Sequence, residues 1–304
     1  MSISPQNNPT KKPRSKFQDW VYKTVSCCNG CSNDCIYCFA KGDAIHQKHR
    51  LNLAQWSQAV VRQHDVVKNY PLMDDPIMFP GTHDITKDNF EVCCTVLEKL
   101  LKAGNRVLVV SKPRPELIEE ICVDFEAYKT NILFRFTIGS IDDGILSFWE
   151  PNAPTYRERK EALQIAYSKG FRTSVSIEPM LDAGHIEDLV SDLSDSVSHS
   201  IWIGTMNHMW YFDVDKEKFK KEDPGWSRAE KNRAYLGEEK CRRIEIEKKK
   251  IEEGQSHDNL KKIYDQLKDK KLNGTGEPLI RWKWHIRKAV GLPQPDAPEQ
   301  WPVD

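Results

Sequence analysis

Apolar and polar positions along this chain fall into a repeated two-part pattern. A short apolar, β-branched run ends in polar residues and is followed by a longer segment with apolar residues at helical spacing. Residues 20–26, 76–79, 106–110, 132–138, 172–177 and 200–203 read as six strands. Helices are expected between them over about 43–64, 87–103, 116–128, 155–169 and 185–197. In the second of these, Phe90, Cys94, Val96, Leu97, Leu100 and Leu101 share one face, and Gly104 stops it. Pro154 can open the fourth helix and Gly170 closes it. Strands that read as buried on both faces, alternating with helices, predict an α/β fold with a parallel sheet covered by helices. A doubly wound sheet and a partial (β/α) barrel both satisfy the periodicity.

The pattern changes after the sixth strand. From about 214 to 271, Lys, Glu, Arg and Asp dominate, which predicts solvated helices held by charge pairs one turn apart. The alternative is an appended element for binding a partner or substrate. Residues 281–288 then interleave Arg, Lys and His with two Trp. Docking onto the fold for buried area is expected there, ahead of stacking on bases. The chain therefore divides into a polar tail (1–19), a core domain (20–212) and a charged, mainly helical extension (213–304).

Charge and hydropathy narrow the setting. Lys plus Arg and Asp plus Glu balance at 45 each, so no global field draws in nucleic acid or a membrane, although a local basic groove remains open. The first 14 residues are polar, and no segment approaches the roughly 20 apolar residues of a membrane span. A soluble, cytoplasmic protein is expected.

Cysteine placement alters the picture most. Five of the nine cysteines, Cys27, Cys28, Cys31, Cys35 and Cys38, lie between positions 27 and 40. In a reducing compartment such clustering points to metal binding or redox chemistry ahead of disulfides. Cys31, Cys35 and Cys38 are one thiolate short of a closed site, which would leave an iron of a 4Fe-4S cluster open to an exogenous ligand. Cys28, Cys31, Cys35 and Cys38 together form a zinc set, with His46 and His49 nearby. The three residues between the two Cys-x2-Cys pairs are a short excursion for a zinc ribbon. Cys93, Cys94, Cys122 and Cys241 read as inert, small hydrophobes.

Polar residues gather where the strands end: Thr82-His83-Asp84, Ser111-Lys112, Ser140, Glu178 and Asn207. Loops at the carboxyl ends of parallel strands converge, so this rim is where sites are built. Asp84 and Ser111 are also ordinary helix caps. Asp84 and Glu178 are candidates for cofactor or substrate contacts.

Cys31-x3-Cys35-x2-Cys38, with Tyr37 before the third cysteine and a strand before the loop, resembles the signature of the radical S-adenosylmethionine (radical SAM) superfamily. Segments 81–86 (Gly-Thr-His-Asp-Ile-Thr), 110–112 (Val-Ser-Lys), 134–140 (Phe-Arg-Phe-Thr-Ile-Gly-Ser) and 150–154 (Glu-Pro-Asn-Ala-Pro) followed by Arg157 are similar to the spore photoproduct lyase group within it. The resemblance covers about two thirds of the chain and implies a partial (β/α)6 TIM-type barrel. It implies a 4Fe-4S cluster on Cys31, Cys35 and Cys38, with S-adenosylmethionine contacted by Tyr37, His83, Lys112 and Ser140. It further implies reductive cleavage of that cofactor to a 5′-deoxyadenosyl radical, an external donor of the flavodoxin or ferredoxin kind, and a nucleic acid or nucleotide as one substrate class. A peptide, tRNA or small molecule is the alternative substrate, and a zinc-stabilised binding module the alternative without catalysis. One departure stands out: the lyase has a hydrogen-donating cysteine where this chain has Gly81.

Overall fold

The computed structural model describes residues 23–48 and 51–294. The tail expected over 1–19, the start of the first expected strand and His49 lie outside them. Among the described residues, nine strands occur in the order β1 (Lys23–Thr24), β2 (Cys28–Asn29), β3 (Val60–Val61), β4 (Ile77–Phe79), β5 (Val107–Ser111), β6 (Ile132–Thr137), β7 (Arg172–Ile177), β8 (Ser200–Ile203) and β9 (Ile280–Trp282). Seven form one all-parallel sheet, ordered β1-β4-β5-β6-β7-β8-β9. β2 and β3 form a separate antiparallel pair.

The strand order resolves what periodicity left open. A doubly wound sheet reverses its order once and so covers both faces with helices. Here the order never reverses, and right-handed crossovers that always step the same way put the connecting helices on one face. The other face is enclosed by curvature of the sheet, which gives a partial TIM-type barrel.

Alternation along the strands separates the two faces. Val107, Val109, Phe134, Phe136, Val175, Ile177, Ile201 and Ile203 pack with Leu97, Leu100, Ile118, Ile121, Leu163, Leu189 and Leu193 of the helices in one continuous apolar core. Their strand neighbours form the inner face, apolar at Leu108 and Leu133 but polar further round at Arg135, Ser174 and Ser200. The fully buried Arg135 donates from Nε to Ser174 Oγ at 2.9 Å and lies 5.4 Å from the Trp202 ring.

Three expectations about elements need revision. The helix expected over 43–64 is instead a series of short pieces: a helix at Phe39–Gly42 continued by a π-turn to Gln47, a helix at Leu53–Trp56, β3, and a helix at Gln63–Val67. Asn52 restarts the chain with a reciprocal capping box to Gln55, and Ala59 at φ 49° breaks it again. A short helix at Asp143–Trp149, with Asp142 capping Gly144 and Ile145, has no counterpart in the pattern. The Trp-containing segment docks, as expected, but does so as β9, a seventh strand beside β8. Ile280 and Trp282 enter the main core, and the helix Trp284–Ala289 follows.

The charged extension forms helices at Pro224–Leu236, Glu238–Gly254 and His257–Leu267. They bury more than a solvated helix does. Cys241, Ile244 and Ile251 join Ile36, Leu146, Phe148, Trp149, Met206, Phe212 and Val214 in a second core. Ile36 belongs to the cysteine loop, so this second core supports that loop from below. Among the described residues, no helix is long and apolar enough to cross a membrane.

Candidate metal and cofactor site

The cysteine loop leaves β2 through Gly30, at φ +90°. A side chain there would run into the carbonyl of Trp56, which accepts the Cys31 N–H at 2.8 Å. Only glycine combines that dihedral with that approach. The loop is then pinned from two sides: Ile36 N–H donates to Trp149 O at 2.8 Å, and Asn152 Nδ2 donates to Ser32 O at 2.9 Å. Cys31 and Cys35 are buried and Cys38 is half-buried.

Two of the three sulfurs already accept backbone N–H groups. Asp84 N–H points at Cys31 Sγ (3.4 Å), and Lys41 N–H points at Cys38 Sγ (3.4 Å), where Cys38 caps the helix Phe39–Gly42. Burial pushes all three thiols up in pKa, most strongly at Cys35. As bare thiolates they are disfavoured, and a bound cation would reverse that.

The rim supplies a charged network around these sulfurs. Asp84 sits at its centre: Oδ1 accepts the Lys112 backbone N–H (2.9 Å), while Oδ2 accepts from Asn33 Nδ2 (2.9 Å) and faces Lys112 Nζ (3.4 Å). Burial alone would raise the Asp84 pKa, but Lys112 and Asn33 hold it below the ordinary carboxylate value. Burial likewise opposes charge on Lys112, but Asp84, Cys35, Tyr37 and Glu150 hold its ammonium well above the usual range. Its Nζ lies 5.7 Å from the Tyr37 ring. Tyr37 OH donates to Glu150, whose other oxygen pairs with Arg159; that acid and base are both fully buried. Arg159 also donates to Pro154 O (2.8 Å) and Thr137 O (3.2 Å), which ties the chain after Trp149 to the end of β6.

The structure thus brings Cys31, Cys35, Tyr37, Asp84 and Lys112 into one neighbourhood, with Cys38 at its edge. His83 has a different role. Its Nδ1 lies 3.0 Å from Asp84 O, and its Nε2 accepts the backbone N–H groups of Cys27 (3.1 Å) and Cys28 (3.2 Å). Both nitrogens are committed, and burial lowers its pKa. The Nε2 contacts tie the loop after β4 to the start of β2. Ser140 is buried and accepts the Asp142 N–H (2.9 Å), which shapes the turn after β6. Glu178 lies further round the rim, with Lys283 Nζ at 3.3 Å and Asn207 Nδ2 at 3.2 Å.

Asn33 and Arg159 carry much of this geometry beyond the residues the sequence marks, together with Glu150, which opens the matching segment 150–154. Asn33 had a signal, since it lies between two of the cysteines. The motif comparison reached Arg157, which is exposed, whereas Arg159 is the buried partner two positions later on the helix Tyr156–Ser168. Ser111 does not cap a helix; its Oγ accepts the Ile85 N–H at 3.0 Å, and Thr86 caps the next turn. Gly81 has no room for a side chain. A Cβ there would lie 2.7 Å from Thr24 Cβ, and the Gly81 N–H is held by Val25 O and Ser26 Oγ.

A single tetrahedral zinc holds its sulfurs about 3.8 Å apart. Among the described residues, the one group of three or more metal-ligating atoms all within 4.8 Å of one another is Cys27, Cys28 and His83. The four-thiolate zinc set of Cys28, Cys31, Cys35 and Cys38 is therefore not assembled. The sulfurs of Cys31, Cys35 and Cys38 are likewise not all within 4.8 Å of one another.

No protein-family model matches the chain. A curated relative, "Uncharacterized protein ORF301" of Acidianus two-tailed virus, is 24% identical over 178 residues. The match covers 54% of this chain, which spans only 58% of that relative's length. The structure is similar to a point mutant of spore photoproduct lyase, at 15% identity and a TM-score of 0.44, over 76% of this chain and 73% of that one. It is also similar to a double mutant of that lyase with bound AdoMet and dinucleoside spore photoproduct, at 15% identity, a TM-score of 0.45 and the same coverage. A further mutant with dinucleoside spore photoproduct matches over 79% of this chain and 77% of that one, at 15% identity and a TM-score of 0.45. These are likenesses of fold, and the chemistry of the site rests on its own residues.

Proposed function

We propose that this chain is an iron–sulfur enzyme of the radical SAM kind, with Cys31, Cys35 and Cys38 as the protein ligands of a 4Fe-4S cluster. When bound, that cluster with S-adenosylmethionine supplies an electron that cleaves the sulfonium, giving methionine and a 5′-deoxyadenosyl radical for hydrogen abstraction. The observation that carries this reading is the meeting of three splayed thiols with the Asp84–Lys112 pair on one barrel rim. Lys112 would hold the methionine carboxylate through a charge-assisted bond. Asp84 keeps Lys112 charged and in place, and the Ser140 hydroxyl can still donate to the cofactor's polar groups. Tyr37, anchored by Glu150 and Arg159, walls the cofactor side of the loop. An external one-electron donor, ferredoxin- or flavodoxin-like, would be needed.

A nucleic acid or nucleotide is the substrate class we favour. Beside the cysteine loop lies an aromatic and basic ridge: Phe39 is 55% exposed, Trp210 is 37% exposed, and the Arg228 guanidinium lies 4.4 Å from the Trp210 ring. Such surfaces stack bases and attract phosphates. The test is anaerobic incubation of the reconstituted protein with dithionite and S-adenosylmethionine, with and without single-stranded DNA or RNA. Methionine and 5′-deoxyadenosine should form in equal amounts, more quickly with one of the polymers. No cleavage under any condition would refute the radical chemistry. Cleavage that neither polymer changes would move the substrate to a peptide or small molecule.

A further inference from the structure

Cys27 and Cys28 take no part in the site described above, yet they are among the most deeply buried thiols in the chain, at 0% and 1% exposure. They sit at the entry to β2, where the loop ending in His83 and the helix Phe90–Lys102 meet. Cys93 projects from that helix, and its Sγ lies 3.7 Å from Cys27 Sγ. His83 Nε2 lies 3.8 Å from the same sulfur. Cys27, Cys28 and His83 place their ligand atoms within 4.8 Å of one another; Cys93 reaches Cys27 but lies outside that group, so its side chain must turn inward to complete a site.

We propose that Cys27, Cys28 and His83, closed by Cys93, form a second metal site, mononuclear and of the zinc type. The separations carry the proposal. A tetrahedral zinc with Zn–S near 2.3 Å and Zn–N near 2.0 Å sets neighbouring donors about 3.5–3.8 Å apart. The 3.7 Å and 3.8 Å spacings around Cys27 Sγ match those edges. Sulfur and imidazole donors in a sealed interior are the chemistry of a closed structural site. The outer contact is also in place. A metal-bound imidazole donates its other N–H to a carbonyl or carboxylate, and His83 Nδ1 is 3.0 Å from Asp84 O.

Two groups now occupy the metal's approach. The Cys27 and Cys28 N–H groups use the Nε2 lone pair, and Cys93 Sγ donates to Asn89 Oδ1 at 3.4 Å. On loading, Cys93 gives up that contact and the two N–H groups pass to the thiolate sulfurs. Zn²⁺ enters as Cys27, Cys28 and Cys93 release three thiol protons to solvent, and His83 binds as neutral imidazole. The bound unit carries one net negative charge; Arg62, which donates to the Ser26 carbonyl next door, is itself paired with Asp65 at 2.6 Å and answers that charge only in part. The site would fasten β2 to the segment ending in Asp84, and so fix the carboxylate that organises the cluster rim.

The experiment uses the full chain with Cys31, Cys35 and Cys38 all replaced by Ser, so that no cluster can contribute. Purified anaerobically and titrated with Co²⁺, it should bind one equivalent, with a thiolate-to-cobalt charge-transfer band and the d–d bands of a tetrahedral ion. Its thermal midpoint should rise with Zn²⁺ and fall back with a chelator. Adding Cys28→Ser or His83→Ala should abolish the bands. Cys93→Ser leaves the histidine's hydrogen bonds intact and should weaken Co²⁺ binding at least about tenfold, since even outer-shell losses cost that much. A folded triple variant that takes up no cobalt would overturn the proposal. So would bands that survive His83→Ala, or an affinity indifferent to Cys93→Ser.

Discussion

Two groups of thiols lie within twelve residues of each other in this chain, and their surroundings differ in kind. Cys31, Cys35 and Cys38 sit on the barrel rim among Asp84, Lys112, Tyr37 and Glu150, and each charge there is answered by a partner. Cys27 and Cys28, with Cys93, sit in the main apolar core beside Phe79, Ile85 and Phe90. Buried ionic groups are costly unless paired, so a rim that keeps several of them is arranged for more than stability. A core that keeps thiols and one neutral imidazole is arranged for closure. Neighbouring cysteines of one short loop thus stand in a paired ionic rim in one case and in a sealed apolar interior in the other.

The largest expected effect breaks this contrast outright. Replacing Cys35 by Ser should abolish retention of iron and sulfide after anaerobic reconstitution, whereas Cys28→Ser should leave both intact. Equal losses in the two variants would erase the distinction between the groups.

The next effect concerns what holds the rim. Arg159→Met leaves Glu150 charged and buried without its partner. Chemical denaturation of the protein without its cluster should show a loss of about 3–5 kcal/mol. A change near zero would mean that Glu150 reaches water or takes up a proton.

Lys112→Met sharpens the rim's role in binding. It removes one charge-assisted bond, worth about 1.5–3 kcal/mol, so equilibrium dialysis should find S-adenosylmethionine bound roughly 10- to 100-fold more weakly. An unchanged affinity would remove Lys112 from the cofactor's contacts. The smallest effect lies at the end of β4, beside β1. Gly81→Ala forces a Cβ to within 2.7 Å of Thr24 Cβ and should cost about 1–3 kcal/mol by overpacking. A neutral result in the same denaturation measurement would show that β1 can yield there, and that a thiol at this position is sterically possible.

Much of this was legible in the residues. The βα alternation is a local signal and holds in space; the thiol spacing Cys31, Cys35, Cys38 is equally local, and it places three cysteines on one loop. The choice between two α/β architectures was not local: it rests on the order in which strands pair. β9 escaped notice because three residues, Ile280 to Trp282, are too few to show alternation amid basic neighbours. The hydrogen bonds of His83 run to the Cys27–Cys28 backbone, more than fifty residues away in sequence. Asn33 reaches Asp84 across a similar gap, and Arg159 joins Glu150 to the end of β6. Polar networks of this kind are set by register and loop approach, which no single segment encodes.

The most direct test is metal and sulfide analysis of the anaerobically reconstituted full chain, alongside its Cys35→Ser variant. The account predicts iron and acid-labile sulfide in equal amounts, in the proportion of one 4Fe-4S cluster per chain, and neither in the variant. A colourless protein whose metal is zinc alone, retained unchanged in Cys35→Ser, would contradict it.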